Sequence, residues 1–187
     1  MWGRFSKEQI NGLAYIDSLW FSSYTKGRLK EKVLRWIREK DIFSNKYVFI
    51  PIVLWGHWSL LICCHFGESH VSLKRSRCML LLDSLQSVNC GGIESAIRRF
   101  VFDILKPERE DDEEEKDRIV NIPLLIPKVP QQESRVACGS FVLYYIYQFI
   151  QRAPIEFSVS NGYPYFLTKD WFSREDVESF LKEMMSL

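Results

Sequence analysis

The stretch YVFIPIVLWGHWSLLICC, Tyr47 to Cys64, decides how the chain is read. It is rich in β-branched and aromatic residues and is interrupted at Pro51 and Gly56, the pattern of two strands joined by a turn. That division puts His57 at the start of the second strand. Polar residues fill 67–77, after which the apolar run CMLLL, Cys78 to Leu82, is too short for a typical helix and reads as another buried strand, with Asp83 at its C-terminal end.

Working outward, residues 6–24 and 28–39 carry apolar side chains at helical spacing, including Ile10, Leu13, Ile16 and Leu19 in the first and Val33, Trp36 and Ile37 in the second. Two helices separated near Gly27 are expected. Downstream, a helix is expected from about Gly92 to Leu105, followed by Pro107 and the charged run EREDDEEEKDR, Glu108 to Arg118. The run reads as a solvated loop, with an electrostatic contact to a basic partner as the functional alternative. IVNIPLLI, residues 119–126, reads as one more strand, and PKVPQQES as loop because its prolines break any period. ACGSFVLYYIYQFIQ is a continuous apolar run of helical length that opens at Cys138. The last helix is expected from Ser173 to Met185, with Ser173 as N-cap and Asp176 three residues on, close to a capping box.

The 187 residues suffice for one core, so residues 1–187 are read as one domain. Lys plus Arg number 25 against 24 Asp plus Glu, and a net charge of +1 gives no reason to expect nucleic-acid or membrane-surface binding. The first residues form neither a basic leader nor an apolar span, and the expectation is a monomeric protein of the nucleus or cytoplasm. Five cysteines, at 63, 64, 78, 90 and 138, form no even framework, and two are adjacent, which points to free thiols.

Among these cysteines Cys138 alone opens a long apolar helix, where backbone N–H groups and the helix dipole favour the reactive thiolate. The other four lie in or beside strands and are expected as core fillers. A thiolate needs a base that can later protonate the leaving amine, the task of histidine. His57 at a strand start suits a cleft, whereas His65 and His70 fall at the polar end of a hairpin. Asp83 is placed to hold the imidazole in one tautomer, although Asp followed by Ser is also an ordinary cap. Gln131 and Gln132, seven and six residues before Cys138, sit on a loop able to fold back and offer an oxyanion donor beside the backbone N–H of the nucleophile. Zinc ligation by Cys63, Cys64, His65, His70, Cys78 and Cys90 is the competing reading; the set lacks a C-x2-C or H-x3-H pair, and neighbouring strand residues point to opposite faces, so no metal or cofactor is expected.

YVFIPIVLWGHWSLLICC, MLLLDSL and VPQQESRVACGSFVLYY, in the order His, Asp, Gln, Cys, resemble the ubiquitin-like-protein-specific proteases, also called sentrin-specific proteases, which process and remove SUMO. VLRWIREKDIFSNKYVFIPI and APIEFSVSNGYPYFLTKDWFSREDVESFLK are similar to the branch of the second yeast enzyme and its plant and animal relatives, so the resemblance runs from about residue 33 to the C-terminus. It implies an α+β papain-like fold with a mixed central sheet flanked by helices. It also implies Cys138 as nucleophile, His57 as general base and acid, Asp83 as orienter and Gln132 as oxyanion donor. Trp58 would cover the modifier's Gly-Gly tail in a narrow tunnel, selecting it by exclusion.

Two features depart from the family pattern. Ala137 stands where a D-C-G triplet usually has Asp, and the W-L-N-D segment that supplies a second tunnel tryptophan is not recognisable: the expectation is either a domain lacking part of the usual N-terminal segment or a region that has diverged, with Trp20 as the candidate replacement. The expected partner is SUMO and its conjugates. Ubiquitin or the cullin modifier, a modifier-binding pseudoenzyme, and a general peptidase of viral type remain open as alternatives.

Overall fold

The computed structural model describes residues 2–186 apart from 68–75, 86–90, 107–111, 135, 155–158, 160–163 and 165. The quoted stretch forms strands β2 (Tyr47–Leu54) and β3 (His57–Cys64), antiparallel from Tyr47↔Cys64 to Leu54↔His57. The turn between them has φ of 51° at Trp55 and 78° at Gly56, the two left-handed residues that a two-residue hairpin needs to match strand twist. β1 (Leu13–Tyr15) runs parallel to β2 and stops beside Phe49, so Pro51 falls where β2 has become an edge and a missing N–H is tolerated. β4 (Cys78–Leu82) pairs antiparallel with β3, and β5 (Leu124–Leu125) pairs parallel with β4. The mixed sheet among the described residues therefore has the order β1-β2-β3-β4-β5.

Both faces are covered, which is why the central strands read as nearly continuous apolar runs. Alternate residues serve opposite layers. Val48, Ile50, Ile52, Leu61, Met79 and Leu81 pack with Phe21, Leu34 and Phe100 from α2 (Ser18–Thr25), α3 (Lys30–Glu39) and α4 (Gly91–Leu105). Phe49, Leu60, Ile62, Leu80 and Leu82 face Phe141, Tyr145, Phe149 and Phe180 from α6 (Cys138–Arg152) and α7 (Arg174–Met185). The α7 capping box between Ser173 and Asp176 is formed as expected.

Two regions differ from the sequence reading. Residues 6–24 are not one helix: α1 (Lys7–Ile10), capped by Ser6, ends at Asn11, Gly12 turns the chain at φ 72°, β1 follows, and Asp17 caps α2 by accepting from the Leu19 N–H. The apolar spacing of Ile10, Leu13 and Ile16 fits a helix, but the edge of β2 offers Leu13–Tyr15 backbone partners that a helix cannot use. The second is 108–126. Glu113–Val120 is helix α5, with Asp112 accepting from the Glu115 N–H, three glutamates at the positive end of the helix dipole, and Lys116 2.8 Å from Glu113. The loop reading therefore fails from residue 112, and the strand expected over 119–126 shrinks to Leu124–Leu125. The expectations for 107–111 lie outside the described residues. So do those for His70 and Cys90.

His65 also departs from expectation. It is 1% exposed, with its ring centroid 5.3 Å from that of Tyr47, rather than at the polar tip of a hairpin. Cys63, Cys64 and Cys78 are buried free thiols, and burial holds the thiols of Cys63 and Cys64 well above the ordinary range, as suits core fillers.

Candidate active site

The site forms where the start of β3 meets the end of β4. Pairing of Leu60 with Leu82 brings the residues that flank this register, His57 and Asp83, to the same end of the sheet. There His57 Nε2 and Asp83 Oδ1 are 2.8 Å apart, the Asp83 side chain 3% exposed and that of His57 22%. The same Oδ1 accepts from the Leu85 N–H at 2.7 Å, which fixes the carboxylate from its own backbone. With Nε2 held by Asp83, Nδ1 is the ring nitrogen for proton exchange.

Cys138 opens α6, the helix that packs on β3. The first i→i−4 bond of that helix runs from the Phe141 N–H to the Ala137 carbonyl, 3.1 Å. The N–H groups of Cys138, Gly139 and Ser140 thus belong to the turn that a helix leaves without internal acceptors. Ala137 contributes no side-chain cap. Cys138 is 4% exposed.

The loop before Cys138 is stitched to the strand end that carries Asp83. The Gln132 N–H donates to the Ser84 carbonyl at 3.0 Å, and Ser84 Oγ donates to Gln132 Oε1 at 2.6 Å. Gln131 Nε2 donates to the Asp83 carbonyl and to the Val129 carbonyl, each at 2.9 Å. One bond from Gln132 Nε2 goes to the Ser134 carbonyl at 2.6 Å, and an amide carries two N–H donors, so the same group retains one for an oxyanion. From α6, the Tyr145 hydroxyl donates to the Pro130 carbonyl at 2.7 Å. Burial, and secondarily the negative charge of Asp83, push the Tyr145 phenol up, so it remains a donor.

The structure thus brings together His57, Asp83 and Gln132, and the Gln132 loop runs through Ser134, whose carbonyl accepts from Gln132 Nε2 and from the Ala137 N–H, into the helix start at Cys138. Half-buried Trp58, next to His57, packs on the α6 side of the sheet. Trp20 is not part of this group: its indole stacks on Trp36, centroids 4.5 Å apart and planes within 9°, in the layer formed by α2 and α3. Sequence reasoning missed Ser84 and Tyr145, which hold the glutamine loop. Ser84 was visible only as the residue after Asp83, and Tyr145 was one aromatic in an apolar run. Among the described residues, no group of three or more His, Cys, Asp or Glu side chains is arranged to hold a metal ion.

Residues 18–186 match the family model of the Ulp1 protease family, C-terminal catalytic domain. The chain belongs to the Ulp1 protease family. It is 32% identical over 163 residues to the probable ubiquitin-like-specific protease 2A of Arabidopsis thaliana, covering 84% of this chain and 21% of that protein. It is 22% identical over 214 residues to the sentrin-specific protease 7 of Rattus norvegicus, covering 86% and 20%. The Ulp1-family chain spans about a fifth of the length of these curated relatives. Its fold is that of the crystal structure of the de-sumoylating protease, with a TM-score of 0.59 at 24% identity over 79% of this chain and 54% of that one. It is also that of the Xanthomonas campestris effector protein XopD bound to ubiquitin, with a TM-score of 0.61 at 15% identity over 94% and 79%. The α+β Ulp1-type architecture inferred from the HW, DSL and PQQ words is the one observed.

Proposed function

We propose that this domain is a cysteine peptidase that cleaves after the C-terminal Gly-Gly of SUMO, in precursors or in conjugates to lysine. The observation that carries the reading is the 2.8 Å pair between His57 Nε2 and Asp83 Oδ1 at the strand ends, beside the helix that Cys138 opens. The family and the names of its relatives support the substrate class.

In this reading the Cys138 thiolate attacks the carbonyl carbon after Gly-Gly, and its oxygen takes the charge between the Cys138 N–H and the Gln132 amide. The imidazolium of His57 gives its Nδ1 proton to the leaving lysine amine as the C–N bond breaks, and a thioester remains. A water then loses a proton to Nδ1 and attacks the thioester, releasing the modifier carboxylate and the thiolate. Asp83 stabilises the imidazolium throughout and takes no proton. Trp58 covers the tail, and a side chain larger than hydrogen would collide with the indole, so Gly-Gly is selected by exclusion. Trp20, engaged with Trp36, needs to leave that stack to serve as a second cover, and we assign it no tunnel role. The domain acts as a monomer in the nucleus or cytoplasm, without nucleic acid, membrane, metal or cofactor.

A panel of C-terminal activity probes built on SUMO, ubiquitin and the cullin modifier tests the substrate. Preferential labelling of Cys138 by the SUMO probe is expected. Preference for either other modifier overturns the SUMO assignment, and no labelling by any probe points to a modifier-binding pseudoenzyme.

A further inference from the structure

Trp55 occupies an unfavourable position for a tryptophan in two respects. It is the first residue of the hairpin turn, at φ 51°, where Asn, Asp or Gly is favoured and a bulky side chain is disfavoured. Its side chain is also 85% exposed, beside a turn locked by the Leu54↔His57 pair. Single exposed apolar residues are common on protein surfaces. This one is set apart by the left-handed backbone and by a place two residues from the proposed general acid.

The two indoles near His57 lie on opposite sides of the sheet. Trp58 packs with the layer built on α6 and α7. Leu54, next to Trp55, packs with the α2–α4 layer, and the Trp55 Cη2 atom lies 3.6 Å from where a Cβ on Gly92, at the start of α4, would stand. One ring edge therefore approaches α4 and the rest faces solvent. In the reading above the modifier tail runs beside Trp58, on the α6 side of the sheet, whereas Trp55 lies toward α4 on the other side, two residues from His57. His57 hands its proton to the departing amine, so the group beyond it is the leaving group.

We infer that Trp55 is a specificity-determining contact for the acceptor, the lysine-bearing polypeptide that leaves, packing its indole on the methylene stem of the lysine and the adjoining peptide. The inference rests on the peptidase reading. A rigid aromatic held by a two-residue turn supplies such a contact with little loss of side-chain freedom on binding and without a sequence requirement in the acceptor. The domain would then favour protein conjugates over the same modifier carrying a small leaving group.

The test compares kcat/KM on a SUMO–protein isopeptide conjugate with kcat/KM on SUMO carrying a C-terminal aminocoumarin. Trp55→Gly and Trp55→Asn suit the turn and should raise or preserve Tm. Both should lower the conjugate-to-coumarin ratio about fivefold or more, the size of a lost aromatic anchor contact. Trp55→Phe should recover most of it. An unchanged ratio in an active enzyme overturns the inference alone, whether the two rates fall together, which places Trp55 on the modifier, or stay constant. Inactivity of the wild-type domain on both substrates overturns the peptidase reading and the inference with it.

Discussion

Replacing Asp83 by Asn and by Ala separates the position of its oxygen from its charge. Oδ1 accepts from His57 at 2.8 Å and from the Leu85 N–H at 2.7 Å, with the side chain 3% exposed. Asp83→Ala removes both bonds and leaves two donors without this acceptor, at about 1–3 kcal/mol each; with the His57 side chain 22% exposed its donor takes the low end, so a stability loss of roughly 2–4 kcal/mol is expected. Asp83→Asn can keep its amide oxygen toward the same two donors, because both partners are N–H groups. What it loses is the charge assistance to the imidazolium, about 1–1.5 kcal/mol in the transition state, or roughly a 5- to 15-fold lower kcat. For Asp83→Ala the ring also loses its orientation, and about a 30- to 1000-fold loss is expected. Steady-state hydrolysis of a SUMO aminocoumarin substrate, with urea unfolding of each variant, measures both effects. Equal kcat in the two variants, or an Asp83→Ala enzyme within twofold of wild type, refutes the assignment of Asp83 as the group that orients His57.

Tyr145→Phe deletes the donor to the Pro130 carbonyl and should lower unfolding free energy by about 1–3 kcal/mol in urea titrations, with kcat falling as the Gln132 loop loosens; an unchanged urea midpoint contradicts the bond. Gln132→Ala should reduce kcat by about 100- to 1000-fold with little change in KM, and Ser84→Ala by less, because it frees the amide without removing it. The double variant should be no worse than Gln132→Ala, and additive losses would show that Ser84 acts elsewhere. Burial pushes the Asp103 carboxyl up, but the Lys30 ammonium at 2.7 Å and the Tyr24 hydroxyl at 2.6 Å outweigh it and hold the group below the usual carboxylate range. Its contribution is therefore complete above the unfolded value of about 4 and disappears as pH falls through the lower folded value. Asp103→Asn should destabilise the domain at pH 7 and approach wild type at about pH 2 in denaturant titrations. A stability difference that does not narrow in acid contradicts this.

The features legible in the sequence were those fixed by local chemistry. Two strands separated at Gly56 were marked by the glycine between two β-rich runs, and Cys78–Leu82 could be little other than a buried strand. The start of α6 at Cys138 and the Ser173 cap followed from apolar period and capping chemistry. One failure depended on a partner distant in sequence, the other on local pairing that composition does not show. Leu13–Tyr15 is extended because β2 has an open edge beside it, and no window around residue 13 contains that edge. The acidic run from Asp112 is helical because its carboxylates lie at a helix N-terminus and pair with Lys116 and Arg118, whereas composition alone suggested a solvated loop. For the site, the types and order of His57, Asp83, Gln132 and Cys138 were readable. The bracing by Ser84 and Tyr145 was not, since 48 residues separate Ser84 from Gln132 and 15 separate Tyr145 from Pro130.

The most direct test of the central claim is turnover of a SUMO C-terminal aminocoumarin substrate by the wild-type domain and by Cys138→Ala, run beside the ubiquitin equivalent. Wild type should turn over catalytically, faster on SUMO than on ubiquitin, and Cys138→Ala should release nothing above background. Release that persists in Cys138→Ala, or none from wild type at micromolar enzyme, would contradict the claim.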